Sequence, residues 1–178
     1  MFMKYFFRTS FFTLLLFYLV SVSYAGDQYV DKTGLALSGF DTVAYFDLEQ
    51  SPVGTPQPAA VPGDPNITAE YNGATWAFSS EENRDRFLAN PEKYAPHYDG
   101  HCAYGVALGG KVPGNPNLWR IVDDKLYLNV TKVVVGFWEE DVDGFINKAQ
   151  SNWSGLEPKP ASENPIPEFD YDSLAKSQ

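Results

Sequence analysis

Asn72-Gly73 is the dipeptide that most restricts this chain, because it joins two runs of alternating character, residues 67–71 and 74–78. A two-residue connection between paired strands needs positive φ at both positions, which asparagine and glycine adopt at least cost. The spacing predicts a β-hairpin with a type I′ turn. Ser79 follows with Glu82 three residues on, a capping-box pattern that predicts a helix over 80–89. Asn90-Pro91 then starts another helix, which Pro96 limits to one or two turns.

Residues 118–122 and 125–129 alternate around Asp123-Asp124 and predict a second hairpin. Trp138, Val142, Phe145, Ile146, Ala149 and Trp153 fall within an arc of about 100° at helical spacing, which predicts one long core-packing helix, kinked near Gly144. The run Val43-Ala44-Tyr45-Phe46 suits a short buried strand. Residues 101–108 lack a polar face and suit a buried helix closed by Gly109-Gly110, with Cys102 and Val106 on one face and Gly105 allowing a close approach. Five prolines within 51–65 mark an extended surface loop that either covers a site or connects two elements. The fold class expected is α+β: a small single domain of two β-hairpins packed against several short helices and one longer C-terminal amphipathic helix. No internal repeat, phosphate-cradling glycine motif, serine nucleophile elbow or dinucleotide fingerprint is read from the chain.

Residues 1–25 read as a signal peptide. Lys4 and Arg8 precede an apolar run that ends in Ser23-Tyr24-Ala25, with small residues at −3 and −1 of a cleavage site after Ala25. Export to the periplasm or beyond is the expectation, with no stable membrane association after cleavage, a domain over 26–155 and a flexible, proline-rich acidic tail over 156–178. The net charge of −10 moves to −12 once Lys4 and Arg8 are removed, a balance that disfavours nucleic acid as a partner.

Chemistry concentrates in residues 97–102, which hold both histidines, His97 and His101, and the sole cysteine, Cys102. Imidazole and thiolate are ligands for soft metals and also the pair for thiol chemistry at neutral pH. One thiol cannot form an internal disulfide, so Cys102 is buried, metal-bound, redox-active or joined to a partner. Helical geometry that would converge His97 and His101 on one ion is broken by Pro96 and Gly100. At a helix start, Cys102 would meet unpaired amides that lower a thiol pKa. Asp41 either orders a turn or serves as a ligand. Tyr45, Trp76, Tyr98 and Tyr104 line either a pocket or the core.

Four ordered stretches, residues 39–46, 71–80, 87–96 and 100–107, together resemble exported bacterial YHS domain proteins. The resemblance covers roughly 31–155 and implies a small α+β domain. YHS domains occur in copper-transporting ATPases and some phenol hydroxylases and are linked there to metal binding through paired cysteines. Where metal-linked members carry a cysteine after the hairpin Phe, this chain has Ser79. The group is also similar to one with some selenocysteine members at the position of Cys102, which implies reactivity there. Three readings follow: an accessory protein that holds a copper-like soft ion through Cys102 with His101 or His97, a redox thiol at Cys102 that works with a thiol or disulfide partner protein, or a non-catalytic binding module with Cys102 in the core.

Overall fold

The computed structural model describes residues 26–171; the leader expected over 1–25 and the end of the tail lie outside them. Strands β1 (Asp64–Tyr71) and β2 (Ala74–Phe78) pair antiparallel, with Asn72 at φ 49° and Gly73 at φ 73° in the turn. Strands β3 (Asn115–Val122) and β4 (Lys125–Asn129) form a second two-stranded sheet, whose turn uses Asp123 at φ 48° and Asp124 at φ 57°. Aspartate enters the left-handed region more readily than most side chains, so the same turn forms without glycine. Helices α1 (Glu81–Ala89), α2 (Pro91–Tyr94), α3 (Ala103–Ala107), α4 (Lys132–Glu139) and α5 (Val142–Leu156) complete the α+β fold.

Four local expectations are corrected. Residues 43–46 are not a strand, because the Asp41 carboxylate takes the amides of Val43 and Ala44 at 2.9 and 3.2 Å and turns the backbone into a short 3-10 helix, Ala44–Asp47. Ser80, not Ser79, caps α1 through Asn83 N, since the Ser79 hydroxyl is engaged by Asp41. Cys102 sits at the N-cap of α3 rather than inside a helix over 101–108. The single long helix is two, broken at Asp141, whose carboxylate caps α5 through the amide of Gly144.

The structure also contains the internal repeat that the sequence reading missed. Each half begins with a turn of left-handed residues, Leu37-Ser38-Gly39 in the first and Tyr98-Asp99-Gly100 in the second. The glycine carbonyl of each turn accepts an amide from the segment before the hairpin: Gly63 N to Gly39 O, 2.9 Å, and Gly114 N to Gly100 O, 3.0 Å. Those segments read Val-Pro-Gly-Asp-Pro-Asn from Val61 and Val-Pro-Gly-Asn-Pro-Asn from Val112. Both hairpins carry an irregularity at the same place, between Asp64 and Thr68 and between Asn115 and Trp119. Each is followed by a hydroxyl-capped helix, Ser80 for α1 and Thr131 for α4. After each helix comes a residue of nearly identical conformation, Asn90 (φ −155°, ψ 72°) and Asp141 (φ −155°, ψ 71°), from which α2 or α5 departs.

Each half has its own apolar centre. The first gathers Tyr45, Trp76, Phe78, Phe87 and, from the second hairpin, Trp119 and Leu128. The second gathers Tyr98, Val106, Tyr127, Trp138, Ala149 and Leu156. Gly105 lets α3 pack tightly, since a Cβ there would stand 2.5 Å from Val112 Cγ2. The segment after α5 lies along the domain: Ile166 is buried, Phe169 packs against Phe40, and the Asn164 carbonyl accepts the Tyr29 hydroxyl at 2.9 Å. Among the described residues, no helix is long and apolar enough to cross a membrane.

Candidate functional site

Asp41 and Cys102 occupy equivalent places in the two halves. Asp41 is fully buried and accepts five hydrogen bonds, from the amides of Val43, Ala44 and Ser79, the Ser79 hydroxyl and Asn83 Nδ2. It ties the turn before the first hairpin to the strand end and helix start after it. Cys102 is likewise fully buried, beside the matching amides of Tyr104, Gly105 and Val130, of which the Tyr104 amide donates to Asn129 Oδ1 at 3.3 Å. The Gly105 amide donates to Sγ at 3.4 Å, and the thiol donates to Asn129 Oδ1 at 3.5 Å. Burial pushes the Cys102 thiol pKa up, and the three amides oppose that rise. Asp41 therefore takes the turn-ordering role rather than that of a ligand.

His101 follows the same correspondence, standing where the first half has the buried Phe40. Its Nδ1 donates to the Tyr98 carbonyl at 2.9 Å and its Nε2 accepts the Ser162 amide at 3.1 Å, so the neutral ring is satisfied on both sides. The Tyr29 ring packs edge-on against it at 5.9 Å. Burial, with a smaller push from Lys111 against the Tyr98 bond, lowers the His101 pKa to about 4. Between the ordinary value of about 6.5 and that value the unfolded chain binds a proton that the folded chain does not. Stability is therefore lost as pH falls from about 6.5 towards 4, by at most about 3 kcal/mol. Asp99, raised by burial to about 6, acts oppositely, its contribution being full below the ordinary carboxylate range and lost as pH rises through 6. Urea titrations of wild type against His101→Phe at several pH values cancel the Asp99 term. The wild-type advantage is expected to shrink from pH 7 to pH 4.5, and a constant difference would refute a neutral buried His101.

The donor set does not fit a copper-like ion. The Cys102 sulfur donates to Asn129 and accepts the Gly105 amide, and both His101 nitrogens are committed elsewhere. The His97 ring lies 4.6 Å from that of Tyr98 and 5.2 Å from that of Tyr127, and it bonds Gln150. Among the described residues, no group of three or more His, Cys, Asp or Glu is arranged to hold a metal. The aromatic candidates do not converge either. Tyr45 and Trp76 belong to the first core and Tyr98 to the second, while Tyr104 packs on Phe145 at 4.9 Å.

The cavity that stands out lies under the proline-rich loop. It is a groove of about 590 Å³ between Gly54–Ala59 of the loop, Asn117–Trp119 of β3 and one face of α4. Pro56, Ala59, Leu118, Trp119 and Val135 give it apolar walls, and Lys132 stands exposed at its rim. The loop is pinned in place by many polar contacts. Trp119 Nε1 donates to the Pro58 carbonyl at 2.9 Å, the Ala60 amide donates to Asn117 Oδ1 at 3.2 Å, and Gly54 N donates to Glu139 Oε2 at 2.9 Å. Glu139 in turn pairs with the buried Arg120, which donates to the Ser51 and Pro52 carbonyls at 3.2 and 3.4 Å. The sequence signal for this site was the proline cluster, but nothing in the sequence tied it to Trp119 or Glu139.

The chain matches the YHS domain family over residues 60–98, a span that runs from the end of the loop through the first hairpin and α1 to the turn after α2. No curated protein and no solved structure matches it.

Proposed function

We propose that this chain, which matches the YHS domain family over residues 60–98, is an exported, non-catalytic binding module that holds a mostly apolar small molecule in the groove beneath the proline-rich loop. The observation that carries this reading is the preformed groove itself. Its volume of about 590 Å³ lies within the range of small-molecule sites. Its wall is held by a hydrogen bond from Trp119 and by others that Asn117 and Glu139 accept, so little ordering is needed on binding. Lys132 at the rim favours a ligand with one carboxylate or similar anionic group beside an apolar body.

Octanoate and benzoate are suitable probes, followed by ligand-detected NMR. Gly136 lines the groove, and a Cβ there would meet nothing within 4 Å, so Gly136→Phe puts a bulky ring at this wall with no clash at Cβ. Saturable binding by wild type is expected, with at least a tenfold loss in Gly136→Phe and a loss of about two- to fivefold in Lys132→Met. Gly136→Ala should retain binding while gaining about 0.5–1 kcal/mol of stability from better helix propensity. Equal binding by wild type and Gly136→Phe would sink the reading.

A second reading is favoured by one observation, the Gly105 amide that donates to Cys102 Sγ, with those of Val130 and Tyr104 beside it, where the first half seats a carboxylate. Such a cradle stabilises a thiolate once solvent or a partner reaches it. A native thiol that alkylates at pH 7 as fast as a free cysteine would favour redox or soft-metal chemistry at Cys102. On the binding-module reading, Cys102 reacts only on unfolding, and Cys102→Ala keeps the groove's affinity.

A further inference from the structure

Asp99 carries an unexplained oxygen. Its Oδ1 accepts Gln28 Nε2 at 2.8 Å and its carbonyl accepts the Tyr29 amide at 2.8 Å, yet Oδ2 is buried without a hydrogen-bond partner. Buried carboxylate oxygens are rarely left unpaired, and each such orphan asks for the group that completes it. The neighbour of Oδ2 is Gly26, which is itself buried. A Cβ added to Gly26 would fall inside contact distance of Oδ2 and 2.5 Å from the Glu157 carbonyl oxygen, so no side chain fits there. The Gly26 carbonyl is held by Asn72 Nδ2 at 3.0 Å, which fixes the residue at the hairpin turn.

We propose that hydrolysis of the Ala25–Gly26 bond creates a binding site for the new chain end, in which the Gly26 α-ammonium pairs with Asp99 Oδ2 and locks the processed N-terminus into the fold. A processing peptidase adds water across the bond, leaving a carboxylate on Ala25 and an ammonium on Gly26. The Gly26 nitrogen is two bonds from the position of the absent Cβ, which places it within about 5 Å of Oδ2. An ammonium has three donors, and Asp99 Oδ2 and the Glu157 carbonyl are the acceptors at hand. Lys111, whose Nζ donates to the Glu157 and Lys159 carbonyls at 3.2 and 2.7 Å, bounds the site on the C-terminal side. Asp27, Glu157 and Lys111 are the other charged groups that act on Asp99. The uncleaved chain has only a neutral amide at Gly26, so the pair exists only after processing. The glycine at the first processed position thus has a packing reason separate from the peptidase's preference for Ala25.

The test compares four proteins: the chain exported and processed in a bacterial host, a chain that retains Ala25 as its first residue, and both with Asp99→Asn. Intact mass should show a start at Gly26 with a free amine. The processed protein should melt at least about 2–4 °C above the Ala25-extended one at pH 7, and the gap should close in the Asp99→Asn pair. Acylation of the α-amine at pH 7 should be slowed about tenfold or more relative to the Asp99→Asn protein. If Asp99→Asn does not fold, enzymatic Nα-acetylation of the processed chain replaces it and should lower Tm by a similar amount. A start elsewhere than Gly26, equal melting of the processed and extended chains, or a gap that persists in the Asp99→Asn or acetylated forms would overturn the proposal.

Discussion

Replacing Asp41 by alanine should destabilise the domain by about 4 kcal/mol, among the largest losses expected from any single substitution here. The carboxylate is fully buried and accepts from three amides, a hydroxyl and a side-chain amide. Alanine would strand those donors, each at a cost of about 1–3 kcal/mol before relaxation and non-additivity reduce the sum. Asp41→Asn keeps one accepting oxygen but turns an NH2 towards the remaining donors, so about half the loss is expected. Urea midpoints at constant m-value give the comparison. A loss below about 1 kcal/mol in Asp41→Ala would mean that water replaces the carboxylate and that the turn is not held by it.

Glu139→Ala is the second large effect. The side chains of Arg120 and Glu139 are only 7% and 9% exposed, so removing the carboxylate leaves a buried guanidinium without its counter-charge. Breaking a buried pair from one side costs about 3–5 kcal/mol, whereas replacing both partners with apolar groups is often neutral. Arg120→Met combined with Glu139→Leu should therefore recover most of what Glu139→Ala loses. Glu139→Ala also frees Gly54 N, and the Arg120 replacement frees the Ser51 and Pro52 carbonyls, so amide exchange should rise in residues 51–57 in both variants. Additive losses in the double replacement, or unchanged exchange in the loop, would refute the role of the pair as the loop's anchor.

Both predictions concern residues whose importance the sequence only half revealed. The two hairpins were legible because turn chemistry is local: Asn72-Gly73 and Asp123-Asp124 need only their own φ values and the alternation beside them. The caps at Ser80 and Thr131 are equally local, although Ser79 and Ser80 are indistinguishable until Asp41 takes one of them. Residues 43–46 misled for the opposite reason. Their β-branched and aromatic character suits a strand, but a buried carboxylate two residues earlier bends the backbone, and that force is set by tertiary placement. The sequence places a kink near Gly144, while the break lies three residues earlier. The cause is Asp141, whose carboxylate a Cβ on Gly144 would strike.

The duplication escaped for a chemical reason. Only Val-Pro-Gly-x-Pro-Asn survives as a shared string, while the pivotal positions changed type: Asp41 became Cys102 and Phe40 became His101. Side-chain reactivity alone marks His101-Cys102 as a cluster, whereas the fold places the pair as the second copy of Phe40-Asp41, a buried ring beside a buried acceptor. The rarity of cysteine in the chain marked it for attention, and its neighbours supply the explanation. The groove stayed hidden because its loop side lies 58 or more residues from its other side, and the two meet only when the first half's loop lies across the second half's β3 and α4.

The duplication bears on how many ligands one chain can take. Equivalent residues are 61 apart at Asp41 and Cys102 but 51 apart at Gly63 and Gly114, so the first half holds about ten residues that the second lacks. Those residues fall in the proline-rich loop that roofs the groove. Had the halves been of equal length, symmetry would give two such pockets and two-site isotherms. The unequal lengths break that symmetry, so a titration is expected to saturate at one molecule per chain, with a single affinity and no cooperativity.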